Sequence, residues 1–262
     1  MSGPTVTRGD AGGVATLTLQ RPALSHRLRT ELLGHVRDVA ADGSVRAVLL
    51  TGTGRAFCLG QDLAEHLAEM AAGPTGGEGA LSVVEAEYNP LLLALAALRV
   101  PVVVGINGAC AGAGMGIALA GDLRVAAAGA KLTTAFAGIG LSSDSALASR
   151  LVHCVGGSRA AELLLLPEPF TAETAGQWGL VHRVVPAADV LAESQALAAR
   201  LAAGPTLAHR AIKTVLATAA TDSLADTLAL EASLQTGLGA TADHREAVEA
   251  FLGKRPAVFT GH

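Results

Sequence analysis

The chain has 262 residues, 50% hydrophobic but only 3% aromatic, with 19 basic and 23 acidic side chains and a net charge of −4. That length supports one main core packed from Ala, Val and Leu, and no shift in composition forces a second compact domain. Mild acidity, with no basic cluster interleaved with aromatics, argues against a nucleic-acid face, and Cys58, Cys110 and Cys154 are too few and too scattered for a disulfide framework or a metal knuckle.

The N-terminus lacks a basic stretch followed by an apolar one, so the expected location is the cytoplasm. A strand is predicted at Val14–Leu19, a helix at Arg27–Ala41 and a strand at Val45–Thr51. The glycine-bearing stretch Ala56-Phe57-Cys58-Leu59-Gly60-Gln61-Asp62-Leu63 follows. Met70–Gly79 concentrates Gly and Pro and is predicted to be a mobile loop. After a helix over Val83–Leu98, a strand over Val100–Ile106 runs into a second glycine-rich stretch, Asn107 to Gly116, with a buried helix to Gly121. Residues 100–121 carry no charge, but Pro101, Asn107 and six glycines fit a strand, a turn and a helix better than a membrane span. A strand at Leu123–Ala127 precedes helices near Ala146–Val155, Ser158–Leu165 and Thr171–Trp178. From Ala187 onward the pattern is Ala/Leu-rich helix, broken at Gly204-Pro205 and Gly237–Gly239. This rhythm predicts an α/β fold of stacked units with largely parallel strands.

Both glycine stretches are strand-to-helix turns. Glycine allows a sharp bend and close approach of a ligand, and the free N–H groups at a helix start can donate to developing negative charge. Two such donors aimed at one carbonyl oxygen form an oxyanion hole. A dinucleotide fingerprint fits less well, because Gly112-Ala113-Gly114-Met115-Gly116 lacks the third spacing and no acidic residue closes a second strand.

At these residues the chain resembles the crotonase (enoyl-CoA hydratase/isomerase) superfamily, and the likeness extends from Val14–Pro22 through Gly176–Val181 to Phe251–Phe259. The resemblance implies a crotonase-like spiral of ββα units over residues 1–190 with a C-terminal helical trimerisation region over 191–262. It also implies a homotrimer or a dimer of trimers. The substrate would be an acyl-CoA thioester, with coenzyme A carried as part of it and no separate cofactor or metal. By position, the backbone N–H groups of Gln61 and Ala113 would form the oxyanion hole. Leu59, Gly60 and Asp62 would lie against the adenine, with Arg27 and Lys254 near the phosphates. Gly112, Met115, Gly116, Phe136 and Leu141 would line the acyl pocket.

Hydration in this superfamily uses two glutamates, and the matching positions hold Gly116 and Phe136, neither of which transfers a proton. Asp144 lies eight residues beyond Phe136, in a context resembling Asp-bearing phenylacetate-pathway isomerases and 4-chlorobenzoyl-CoA dehalogenases. The dehalogenase route needs a His and a Trp where this chain has Asn89 and Phe136, which disfavours hydrolysis. Asp144 is therefore the expected proton shuttle of an isomerase. A weak or atypical hydratase and a non-catalytic acyl-CoA binder are the alternatives. Asp144 could also simply cap a helix. Glu85 and Glu87 read as a solvated face, His153 and Cys154 as core, and Asp62 and Asp122 as caps or turn stabilisers.

Overall fold

The computed structural model describes residues 3–72 and 77–262. In chain order the elements are β1 (Val6–Ala11), β2 (Val14–Leu19), α1 (His26–Ala41), β3 (Ala47–Gly52), β4 (Ala56–Cys58), α2 (Leu63–Ala72), α3 (Gly77–Leu81) and α4 (Asn89–Ala96). Next come β5 (Val102–Ile106), β6 (Ala109–Ala111), α5 (Ala113–Ala120), β7 (Leu123–Ala127), β8 (Lys131–Thr133), α6 (Leu147–Leu165), β9 (Phe170–Thr171), α7 (Ala172–Gln177) and β10 (Arg183–Val185). Four helices follow, α8 (Val190–Ala202), α9 (Thr206–Thr218), α10 (Leu224–Gly239) and α11 (Ala242–Leu252).

The larger sheet has the order β1-β2-β3-β5-β7-β10, parallel except for the β1–β2 pair. A smaller sheet, β4-β6-β8-β9, is parallel except for β8–β9. Each central strand of the first sheet is followed by a three-residue strand of the second and then a helix: β3-β4-α2, β5-β6-α5 and β7-β8-α6. The spiral of ββα units is thus present. Its short strands were not foreseen, because three residues cannot display an alternating pattern.

Period-2 alternation assigns the faces of the larger sheet. Val48, Leu50, Val102 and Val104 pack in one cluster with Leu28, Leu32 and Val36 of α1, while Ala47, Leu49, Val103 and Val125 pack with Leu197, Ala198 and Ala202 of α8. Because α8 covers the second face, the core of this sheet includes residues beyond 190. Leu216, Leu228, Phe251 and Leu252 on α9 to α11 remain exposed.

Several expected boundaries change. The helix expected over 83–98 is a π-helical turn, Val84–Tyr88, followed by α4, with Pro90 in a first turn that needs no N–H from it. Gly156 interrupts α6 and separates the two expected helices there. Gly237 and Gly239 stay inside α10, and the break falls at Ala240, where Thr241 caps α11 by accepting from the His244 amide. In the expected loop 70–79, α2 reaches Ala72 and α3 opens at Gly77; residues 73–76 lie outside the described residues.

Glu87 is not a solvated charge. It accepts from Arg29 Nε at 2.7 Å and lies 2.8 Å from His26 Nδ1, and the Arg29 side chain is only 1% exposed. These partners hold the Glu87 carboxyl below its ordinary range against the opposing effect of burial. Replacing Glu87 with Ala leaves the Arg29 guanidinium without its carboxylate. Denaturant unfolding should show a loss at or somewhat below the ~3–5 kcal/mol typical of a broken buried pair, since Glu87 keeps some solvent.

Candidate active site

The two glycine turns meet. Gly60 has φ +83°, and a Cβ there would lie 3.1 Å from the Ala111 carbonyl oxygen and 3.4 Å from the Ala113 amide nitrogen. This close approach brings the residue after Gly60 beside the start of α5. The Gln61 and Ala113 amides have no hydrogen-bond acceptor among the described residues. Ala113 opens α5 after Gly112, so its N–H also sits at the positive end of that helix. Two unpaired donors thus lie at one junction, and the arrangement is suited to hold an oxyanion.

One turn along α5, Gly116 meets the segment carrying Asp144. A Cβ at Gly116 would lie 2.6 Å from both Cβ and the carbonyl oxygen of Ser145. The space at Gly116 is therefore filled by protein and does not open into an acyl pocket. Ser145 and Ala146 are both left-handed, at φ +53° and +57°, which costs of order 1–3 kcal/mol for each non-glycine residue. Such strain persists only where packing fixes it, and buried Ser145 against Gly116 supplies that packing. Since α5 rises about 1.5 Å per residue, the contact at Gly116 lies only about 5 Å along the axis from Ala113.

Asp144 is half-buried, and its side chain accepts from Ser145 Oγ at 2.7 Å. Burial raises its pKa, and the Ser145 hydrogen bond only partly opposes this. It is not a side-chain cap. Ala146 holds the N-cap position of α6 with no side-chain hydrogen bond, and Asp144 offers only its backbone carbonyl to Leu147.

Met115 and Phe136 are buried, Leu141 is partly so, and the Phe136 ring edge lies 3.8 Å from where a Gly112 Cβ would be. A separate cavity of about 680 Å³ includes Asn89, Leu92, Leu93, Ala146, Arg150 and Lys213 in its wall. None of the five expected pocket residues lines it. Leu59 is exposed, while Asp62 caps α2 by accepting from the Ala64 and Glu65 amides at 3.0 and 3.2 Å. Arg27 is exposed on α1 and pairs with Glu31. Lys254 lies beyond α11, and no described contact joins it to the 59–62 turn. Asp122 ties the Val102 amide to Lys213 of α9. His153 is exposed and its Nδ1 lies 2.6 Å from the Ser149 carbonyl, so it makes no couple with Cys154 and is not core. Buried Cys58 has its thiol pushed up to about 12, which keeps it protonated.

The profile of the family described as "Enoyl-CoA hydratase/isomerase" matches residues 9–262. The chain belongs to that family. It is 42% identical over 265 residues, spanning 100% of both chains, to a "probable enoyl-CoA hydratase" of Rhodobacter capsulatus. It is 40% identical over 254 residues, 95% of each chain, to the 1,2-epoxyphenylacetyl-CoA isomerase of Escherichia coli. Among solved structures, a protein of the enoyl-CoA hydratase/isomerase class from Mycobacterium abscessus superposes with a TM-score of 0.95 at 46% identity, covering 98% of this chain and 100% of that one. This is therefore a crotonase-fold enzyme of a family that acts on acyl-CoA thioesters.

Two features of the site were not foreseen, the Gly116–Ser145 contact and the burial of Tyr88. Gly116 was noticed for the glutamate it lacks, and Tyr88 is the only tyrosine in the chain. Replacing Gly116 with Ala should displace the Ser145 backbone and with it Asp144. Turnover of the acyl-CoA substrate should fall at least tenfold with folded secondary structure retained by circular dichroism, since misplacement by about 1 Å can cost on the order of 100-fold.

Proposed function

We propose that this enzyme shifts the double bond of an enoyl-CoA, with the Gln61 and Ala113 amides holding the thioester enolate and Asp144 moving the proton. The observation that carries this reading is a single half-buried carboxyl of raised pKa on the segment locked to α5, the helix that presents the Ala113 donor. The Asp144 carboxylate takes the acidified proton at C2 of a 3-enoyl thioester. The resulting dienolate oxygen accepts from the two amides, and the Asp144 carboxylic acid returns the proton at C4. A raised proton affinity suits a group that must be both base and acid in one cycle.

The E. coli relative named as an isomerase supports this choice, as does a trans-2-decenoyl-[acyl-carrier-protein] isomerase of Streptococcus mutans at 31% identity over 95% of both chains. Hydration is the second reading, favoured by the name of the Rhodobacter relative. Against it stand Gly116, whose space is filled by Ser145, and apolar Phe136. For coenzyme A, we assign Leu59, Gly60 and Asp62 to the adenine and Arg27 and Lys254 to the phosphates. Gly112, Met115, Phe136 and Leu141 surround the acyl group. The exposed apolar side chains of α9 to α11 support burial between subunits of a trimer or dimer of trimers.

Incubating the enzyme with 3-enoyl-CoA in D₂O should give isomerised, deuterated product, and Asp144→Ala should lower that rate by ~10²–10⁴-fold. Undiminished exchange in the variant, or rapid hydration of 2-enoyl-CoA by the wild type, would sink this reading. The raised pKa sets the pH dependence. As base, Asp144 must be ionised, so kcat/KM should fall on acidification with an inflection above the ~3.9 of an ordinary Asp. For stability the sign reverses: native Asp144 binds its proton more tightly than unfolded Asp144, so stability drops as pH rises through the native pKa. Asp144→Asn should therefore raise the melting temperature at neutral pH, and the gain should vanish below the carboxylate range.

A further inference from the structure

Ser145 holds a backbone conformation that suits glycine. Its φ is +53°, a region that residues with a side chain seldom adopt, and it is only 1% exposed. A serine retained there has a hydroxyl to satisfy away from water, and that hydroxyl has one hydrogen to give. The hydrogen goes to Asp144 Oδ1, at 2.7 Å. Neighbouring side chains in a strand or a helix point apart, so a bond between residues 144 and 145 needs a turn of the backbone between them. The left-handed residues 145 and 146 supply it.

The two atoms of the Ser145 side chain have separate contacts. Its Cβ faces α5, where a Cβ on Gly116 would lie 2.6 Å away, and its Oγ serves Asp144. The two oxygens of Asp144 are correspondingly unequal. Oδ1 is engaged by Ser145, whereas Oδ2 has no partner among the described residues and is not one of the buried atoms left without one, so it keeps open surface. Charges are remote: burial raises the proton affinity of Asp144, and Ser145 is the one group that opposes it. Tyr88 is the ionisable side chain that responds to Asp144, and burial keeps its phenol protonated.

We propose that Ser145 is a positioning residue whose hydroxyl ties down Oδ1 of Asp144, so that Oδ2 alone is presented to the substrate for both removal and return of the proton. This rests on the double-bond shift proposed above. When Oδ2 takes the proton from C2, Oδ1 becomes the carbonyl oxygen of the acid and still accepts from Ser145, so the tether holds through the cycle. The bond is stronger to the carboxylate than to the acid, which keeps the buried group available as a base. One fixed oxygen also sets the plane of the carboxyl, and orientation of that kind governs the rate of proton transfer.

Ser145→Ala retains the Cβ that packs at Gly116 and removes only the hydroxyl. On the acid limb of the pH profile its kcat/KM for 3-enoyl-CoA should fall ~10–100-fold against wild type, with a smaller loss on the neutral plateau, so that the inflection moves to higher pH. A loss of the same size at every pH, or no loss, would overturn the proposal. Should Ser145→Ala not fold, Ser145→Gly, which suits the left-handed backbone, must move the inflection the same way. Infrared difference spectra provide a readout without turnover: the carboxyl band absent from Asp144→Asn should titrate at higher pH in Ser145→Ala than in wild type, and coincident titrations would overturn the assignment. If the wild type isomerises no 3-enoyl-CoA, the double-bond reading fails, and the infrared titration still decides whether Ser145 holds the carboxylate.

Discussion

Everything at the proposed reaction centre depends on how closely other backbone can approach the first turn of α5. The side chains there are minimal, Ala113, Gly114 and Gly116, and the helix is buried along its whole length. One side receives the Cys58–Gly60 turn and the other receives Ser145. Larger residues would separate these three segments, and with them the two amides and the carboxyl. The low aromatic content of the chain fits this construction, since closely spaced backbones leave little room for rings.

Around that junction the electrostatics are set by desolvation. Asp144 has one hydroxyl partner and is pushed toward its neutral form, while the less deeply buried Glu87 is held ionised by Arg29 and His26. These two carboxylates are thus driven in opposite directions by their surroundings. Glu87 compensates the buried Arg29 guanidinium, and Asp144 is the group proposed above to exchange a proton. The left-handed pair Ser145 and Ala146 is the conformational counterpart, a local strain accepted next to the carboxyl proposed to react.

The long strands and helices were legible in the sequence because Val45–Thr51, Val100–Ile106 and Arg27–Ala41 are long enough for periodicity to appear. The strands β4, β6, β8 and β9 were not, since two or three residues carry no period and pairing in a second sheet is decided by tertiary packing. The glycines marked the two strand-to-helix turns because glycine reports backbone geometry, and the resemblance to the crotonase superfamily pointed to Gln61 and Ala113 within them. Gly116 was legible only as an absence, because its role is set by Ser145, 29 positions away in the sequence. Glu87 looked solvated for the same reason: its partners Arg29 and His26 come from α1, and no local pattern announces a pairing across 58 residues.

The ββα repeat carries one more consequence. Gln61 and Ala113 stand just past the ends of β4 and β6, which are adjacent strands of the small sheet. Neighbouring strands are spaced about 4.8 Å apart by their hydrogen bonds. The nearness of the two amides thus follows from the pairing of β4 with β6 and the close approach at Gly60, both set by backbone and neither by the side chain at position 61.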